Sequence, residues 1–133
     1  MNQFLSNFAP LVGRILMAVI FVLSGIGKVG NFAGTAGYMA SKGVPLAELA
    51  LVITIIVELG GAAMLILGWK ARLAAGALFL WMIPVTLLFH NFWAAPADQH
   101  MVQQIMFLKN LAMMGGFLYI MAFGSGPYSL ERK

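Results

Sequence analysis

The chain has 133 residues, of which 62% are apolar and 9% charged, with a net charge of +4 at neutral pH. A soluble domain carries about a quarter charged residues, so most of the exterior of this single domain must face lipid rather than water. Cysteine is absent, which excludes disulfides and thiol redox chemistry by the chain's own side chains, and the basic residues form no stripe that a nucleic-acid backbone could follow.

A membrane-spanning helix needs about 20 mostly apolar residues, and four segments meet that length. The first covers residues 9–27 and contains Arg14. No Lys or Arg precedes it and no small-residue cleavage pattern follows Gly27, so it reads as a retained span rather than a cleaved signal. Residues 28–44 are too polar and glycine-rich to span. Asn31 is placed to cap a short helix over Phe32–Ser41, with Phe32, Tyr38 and Met39 dipping into the membrane interface.

The second span covers residues 46–67 and contains Glu58. Pro45 suits the start of a helix, and Glu48 in the first turn meets the positive end of the helix dipole. The link Gly68-Trp69-Lys70 is so short that the second and third spans must be antiparallel neighbours. The third span covers residues 71–89, with Pro84 as an expected kink. After a loop carrying His90, Trp93 and Asp98, the fourth span covers residues 101–123 and contains Lys109 and Asn110. The fold expected is therefore an all-α membrane protein: one domain over residues 1–133, a bundle of four transmembrane helices with a short interfacial helix between the first two.

An even number of spans puts both termini on one side. That side collects Lys70, Arg72, Arg132 and Lys133, against Lys28 and Lys42 on the other, which places the termini in the cytoplasm.

Charges inside apolar runs are the informative residues, because each costs ~2.5–3.5 kcal/mol at the bilayer centre. They are expected to face the bundle interior and find partners. Glu58 shares a helical face with Thr54 and Gly61, and Lys109 shares one with Ala112 and Gly116. Asn110 looks about 100° away from Lys109. Arg14 and Lys28 lie nearly four turns apart on the same face of the first span. By depth, Glu58 meets Lys109 or Arg14 near the midplane, while Lys28 and His90 cap the outer end. Such a set either binds a ligand or proton or is a structural ion pair that fixes helix register. His90 and His100 have no carboxylate or thiolate at ligand spacing, so no metal site is expected. Neither a phosphate loop nor a nucleophile elbow is present; no catalytic residue is assigned, and the chain reads as no enzyme on its own.

Several short segments carry a family resemblance through their order and spacing. They are Gly13-Arg14-Ile15-Leu16, Ser24-Gly25-Ile26-Gly27-Lys28, Gly43-Val44-Pro45, Glu58-Leu59-Gly60-Gly61, His90-Asn91-Phe92-Trp93, Phe107-Leu108-Lys109-Asn110-Leu111 and Gly124-Ser125-Gly126-Pro127. Over nearly its whole length the chain resembles the DoxX family of small bacterial inner-membrane proteins. The resemblance implies a four-helix inner-membrane protein with Arg14, Lys28, Glu58, His90, Lys109 and Asn110 as the family's polar positions. It also implies links to oxidative-stress defence through soluble redox enzymes, and to quinone chemistry through the related DoxD subunits of a thiosulfate:quinone oxidoreductase. The leading expectation is a membrane accessory of a redox or quinone-linked system, with a buried polar site for a quinone-like or anionic ligand and any electron carrier supplied from outside the chain. The alternatives are a small transporter or channel, which would have to be a homo-oligomer, and a structural or assembly factor.

Overall fold

The computed structural model describes residues 3–131. In chain order the elements are α1 (Gln3–Gly30), α2 (Phe32–Ser41), α3 (Ala47–Leu67), α4 (Ala71–Phe89), a 3-10 turn (Phe92–Ala94) and α5 (His100–Phe123). All four long helices are apolar and long enough to cross a membrane. The expected spans map onto α1, α3, α4 and α5, and the short helix between the first two is present as α2. Arg132 and Lys133, which weigh in the orientation argument, lie outside the described residues.

The first span is longer than its apolar core suggests. α1 has 28 residues, about 42 Å at 1.5 Å per residue, against a hydrocarbon thickness of about 30 Å. Hydropathy marks only the lipid-thick part of a helix, whereas the backbone bonds continue into its more polar first turns.

The four long helices pack in the order α1–α3–α4–α5, and α2 lies against α3. The core is small-residue and aliphatic: Ala18, Ala62, Leu65, Ala75, Leu78 and Met82 are buried together with Phe21 and Phe117. Alanine and glycine let apolar helices approach closely where no water remains to be expelled. α1 and α5 close the ring through long side chains: Phe21 and Phe117 meet at a centroid distance of 5.6 Å. A Cβ on Gly116 of α5 would come within 2.8 Å of the Met17 terminal methyl of α1.

The link between α3 and α4 depends on one glycine. Gly68 ends α3 at φ +69°, its N–H donating to Leu65 O at 3.2 Å while Trp69 N–H donates to Met64 O at 2.9 Å. This left-handed ending favours glycine. The chain after α5 then folds back over it: Leu130 N–H donates to Leu67 O at 2.9 Å and Glu131 N–H to Gly68 O at 3.0 Å. A Cβ on Gly68 would lie 2.1 Å from the Cβ of Ser129. The two ends of the bundle are thus unlike. One holds the Gly68 link and both chain ends, and the other holds α2 and the loop after α4.

Candidate functional site

The polar residues resolve into separate groups rather than one cluster. Glu58 is 1% exposed and faces α1, because α3 lies between α1 and α4. Its Oε1 is 2.9 Å from Lys28 Nζ. The expected partners, Lys109 and Arg14, are not the ones it meets. Lys28 also bonds Ser24 Oγ one turn earlier on α1. Oε1 receives no directed hydrogen bond despite the ion pair. The contact is therefore Coulombic, with acceptor capacity to spare.

Arg14 faces α3 as Lys28 does, which agrees with their shared helical face. It is 2% exposed and bridges two elements. Nη1 donates to Leu65 O at 2.9 Å and to Ile66 O at 3.3 Å; Nη2 donates to Pro127 O at 3.2 Å and Tyr128 O at 3.0 Å. Arginine's fixed fork suits this role, tying the carboxyl end of α3 to the chain's last turn.

Lys109 departs from expectation altogether. It is exposed on α5 among exposed Ile105, Met106 and Leu108, and no ion pair to it occurs among the described residues. α5 turns Asn110 and Phe117 inward, so a residue 100° from Asn110 turns out. Asn110 is buried and donates from Nδ2 to Thr86 Oγ1 of α4 at 3.0 Å.

At the α2 end lies a partly open cavity of about 500 Å³. Its walls are mainly aliphatic and aromatic, from α2, the start of α3 and the last turns of α4. Leu51 of α3 packs against Ala36 and Met39 of α2, and Tyr38 of α2 stacks on Phe89 of α4 at 5.5 Å; these contacts hold α2 over the cavity. The polar lining is sparse: Lys28, Thr35, Tyr38, Thr54, Trp81, His90 and Gln103. Trp81 Nε1 donates to Thr54 Oγ1 at 3.3 Å, and His90 Nδ1 pairs with Gln103 Oε1 at 2.9 Å. Lys28 belongs both to this lining and to the ion pair with Glu58, so the cavity has a buried carboxylate behind its cation.

The cavity therefore joins Lys28 and His90, grouped from sequence as outer-end residues, to Glu58. Arg14, Lys109 and Asn110 lie elsewhere. Trp81, Tyr38 and Gln103 were missed as site residues, since single aromatic and amide residues within helices carry no catalytic or ligand spacing. His100 packs edge-on against Phe92 at 5.5 Å, and no group of three or more metal-ligating side chains occurs among the described residues.

The DoxX family profile matches residues 9–91. The inner membrane protein YqjF of Escherichia coli is 38% identical over 96% of this chain and 93% of its own length. A second Escherichia coli inner membrane protein, YphA, is 32% identical over 92% of this chain and 88% of its own length. A Surfeit locus protein 4 homolog of Schizosaccharomyces pombe is 24% identical over 96% of this chain but only 38% of its own length. No solved structure matches the chain.

Proposed function

The chain belongs to the DoxX family and is a multi-pass inner-membrane protein, and from that premise we propose that it is a membrane accessory of a redox or quinone-linked system whose α2-end cavity binds the head of a quinone-like amphiphile. The observation that carries this reading is the cavity itself. A volume of about 500 Å³ with apolar walls and a few placed polar groups is the usual form of a small-molecule site. A quinone head is a flat apolar ring with two carbonyl acceptors. Lys28, Tyr38 and Gln103 offer donors, and Tyr38, Trp81 and Phe89 offer ring faces. The same arrangement suits an anionic head through Lys28, whose charge is already balanced by Glu58. That balance favours a neutral carbonyl compound over an anion.

When bound, the quinone supplies the two-electron chemistry, and the electrons come from or go to a partner's cofactor. The chain's part is to hold the ring, keep water away, and present the Lys28–Glu58 pair and His90 beside the carbonyls. In this reading α2 lies in the membrane interface as a cover through which the head enters, and a link to oxidative-stress defence follows from the redox partner.

Trp81 makes the test direct. A short-chain quinone titrated into the reconstituted protein is expected to quench Trp81 fluorescence saturably, with Trp81→Phe removing the saturable part. Widening the polar end with His90→Ala and Gln103→Ala is expected to weaken binding about tenfold, the loss of roughly one hydrogen bond. Quenching that rises linearly with quinone and is unchanged in both variants speaks for partition into lipid alone and against the reading.

A further inference from the structure

The α2-end cavity shares part of its wall with the outer surface of the bundle. Its lining takes Ala50, Ile53 and Thr54 from α3 and Trp81, Pro84 and Leu88 from α4, spaced by three and four residues as one face of each helix. Ile53 is 52% exposed and Leu88 42%, and Pro84 is exposed with them. Ile53 adjoins Leu49, Val52 and Ile56 on the outer stripe of α3, and Pro84 and Leu88 adjoin Leu80 and Leu87 on that of α4. In spanning helices those stripes meet lipid. The cavity wall therefore passes onto the lipid-facing surface between α3 and α4 through a rim of three apolar side chains. Deeper in the bundle the same two helices close on each other. Trp81 Nε1 donates to Thr54 Oγ1, and a Cβ on Gly61 would lie 3.0 Å from the Leu78 side chain.

The polar lining stands away from this rim. Lys28 is on α1, His90 follows α4 and Gln103 is on α5. With the helices in the order α1–α3–α4–α5 and α1 meeting α5, the α3–α4 side lies opposite the α1–α5 side. The rim is also deep. Ile53 is six residues inside the start of α3 and Pro84 five residues before the end of α4. That is about 8 Å along the helix axis, which puts the rim in hydrocarbon rather than among headgroups. We propose that the gap between Ile53 of α3 and Pro84 and Leu88 of α4 is a lateral portal for the tail of a lipid-resident quinone. This inference rests on the quinone reading of the cavity and adds the route of the tail. A head seated among the helices at this depth needs a way out for a long apolar tail, and the portal leaves that tail in lipid throughout. Pro84 suits the rim, because its ring has no rotatable arm to swing across the gap.

The test uses the full chain in liposomes and two quinones with the same head, one tailless and one with a decyl tail that carries a photoactivated diazirine. Affinities are expressed per mole fraction in the membrane, which removes simple partition. In the wild type the tail label is expected on Ile53, Pro84 and Leu88, competed by unlabelled quinone. Ile53→Phe with Leu88→Phe is expected to lower the ratio of tailed to tailless affinity about tenfold. Val52→Phe adds the same ring to the outer stripe of α3 outside the cavity lining and is expected to leave that ratio unchanged. If the double variant does not fold, the wild-type labelling decides alone. Tail labelling concentrated on Tyr38 and the rest of α2 overturns the portal, because the tail then leaves through the interface. An unchanged ratio in a folded double variant overturns it as well. Saturable binding of neither quinone removes the quinone reading and the portal together, whereas saturable binding of both with the tail on α2 removes the portal alone.

Discussion

Lys28 Nζ and Glu58 Oε1 stand 2.9 Å apart across the α1–α3 interface, with the glutamate side chain 2% exposed and the lysine side chain 24% exposed. The asymmetry sets the energetics of the pair. Among the described residues the carboxylate has no other cation, whereas the ammonium also reaches Ser24 and the cavity. Lys28→Met is therefore expected to destabilise the bundle by about 3–5 kcal/mol, because it strands a buried charge. Glu58→Gln is expected to cost less. The double variant is expected to recover most of the loss, read from unfolding titrations in mixed micelles. Additive losses in the double variant would contradict a direct pair.

Asn110 and Thr86 join α4 to α5 by one buried hydrogen bond. Interhelical bonds of this kind average about 0.6 kcal/mol in double-mutant cycles. Asn110→Leu with Thr86→Val is expected to give a coupling of that size by the same titration. A coupling indistinguishable from zero would show that each group finds another partner.

Gly68 combines a φ of +69° with a Cβ position occupied by Ser129. Gly68→Ala is expected to cost about 2 kcal/mol or more and to release the last turn from α3. Limited proteolysis should then cut after Phe123 in the variant and not in the wild type. A variant as resistant as wild type would mean that the turn is held by Arg14 alone.

Lys109 is exposed on a face of α5 that no other helix covers. Lys109→Leu removes a charge from that lipid-facing surface. It is expected to leave insertion and thermal stability at least at wild-type level. A fall in membrane abundance would instead place Lys109 against a carboxylate of another chain.

Both termini are proposed to be cytoplasmic, on the balance of basic residues in short loops. A green fluorescent protein fused after Lys133 should fluoresce, and alkaline phosphatase fused there should be inactive; the reverse pair of results would invert the molecule.

The bundle was legible in the sequence because lipid imposes a single strong rule: each span must bury its backbone within a long apolar helix. The shared face of Arg14 and Lys28 and the stripe of Thr54, Glu58 and Gly61 follow from 100° per residue, whereas Lys109, expected to face the bundle interior, is exposed. Partner choice was not legible in the same way. Depth along a helix suggested Lys109 or Arg14 for Glu58 and left Lys28 at the outer end; the packing of α3 on α1 excludes Lys109 on α5, and Arg14 is taken up by carbonyls at the other end of α3, which leaves Lys28. The carbonyl partners of Arg14 were hidden for a related reason. Backbone acceptors at the end of α3 and in the last turn leave no mark in residue type. The cavity escaped notice because its walls are ordinary span residues, brought together only by the packing of α2 against α3 and α4.

Photolabelling tests the proposed site most directly. A short-chain azidoquinone activated in native membranes, followed by peptide mapping, is expected to mark α2 around Met39 and α4 around Val85 and Phe89, with labelling competed by unmodified quinone. Labelling spread evenly over the lipid-facing residues of α1 and α5, and insensitive to competitor, would contradict a quinone site in this cavity.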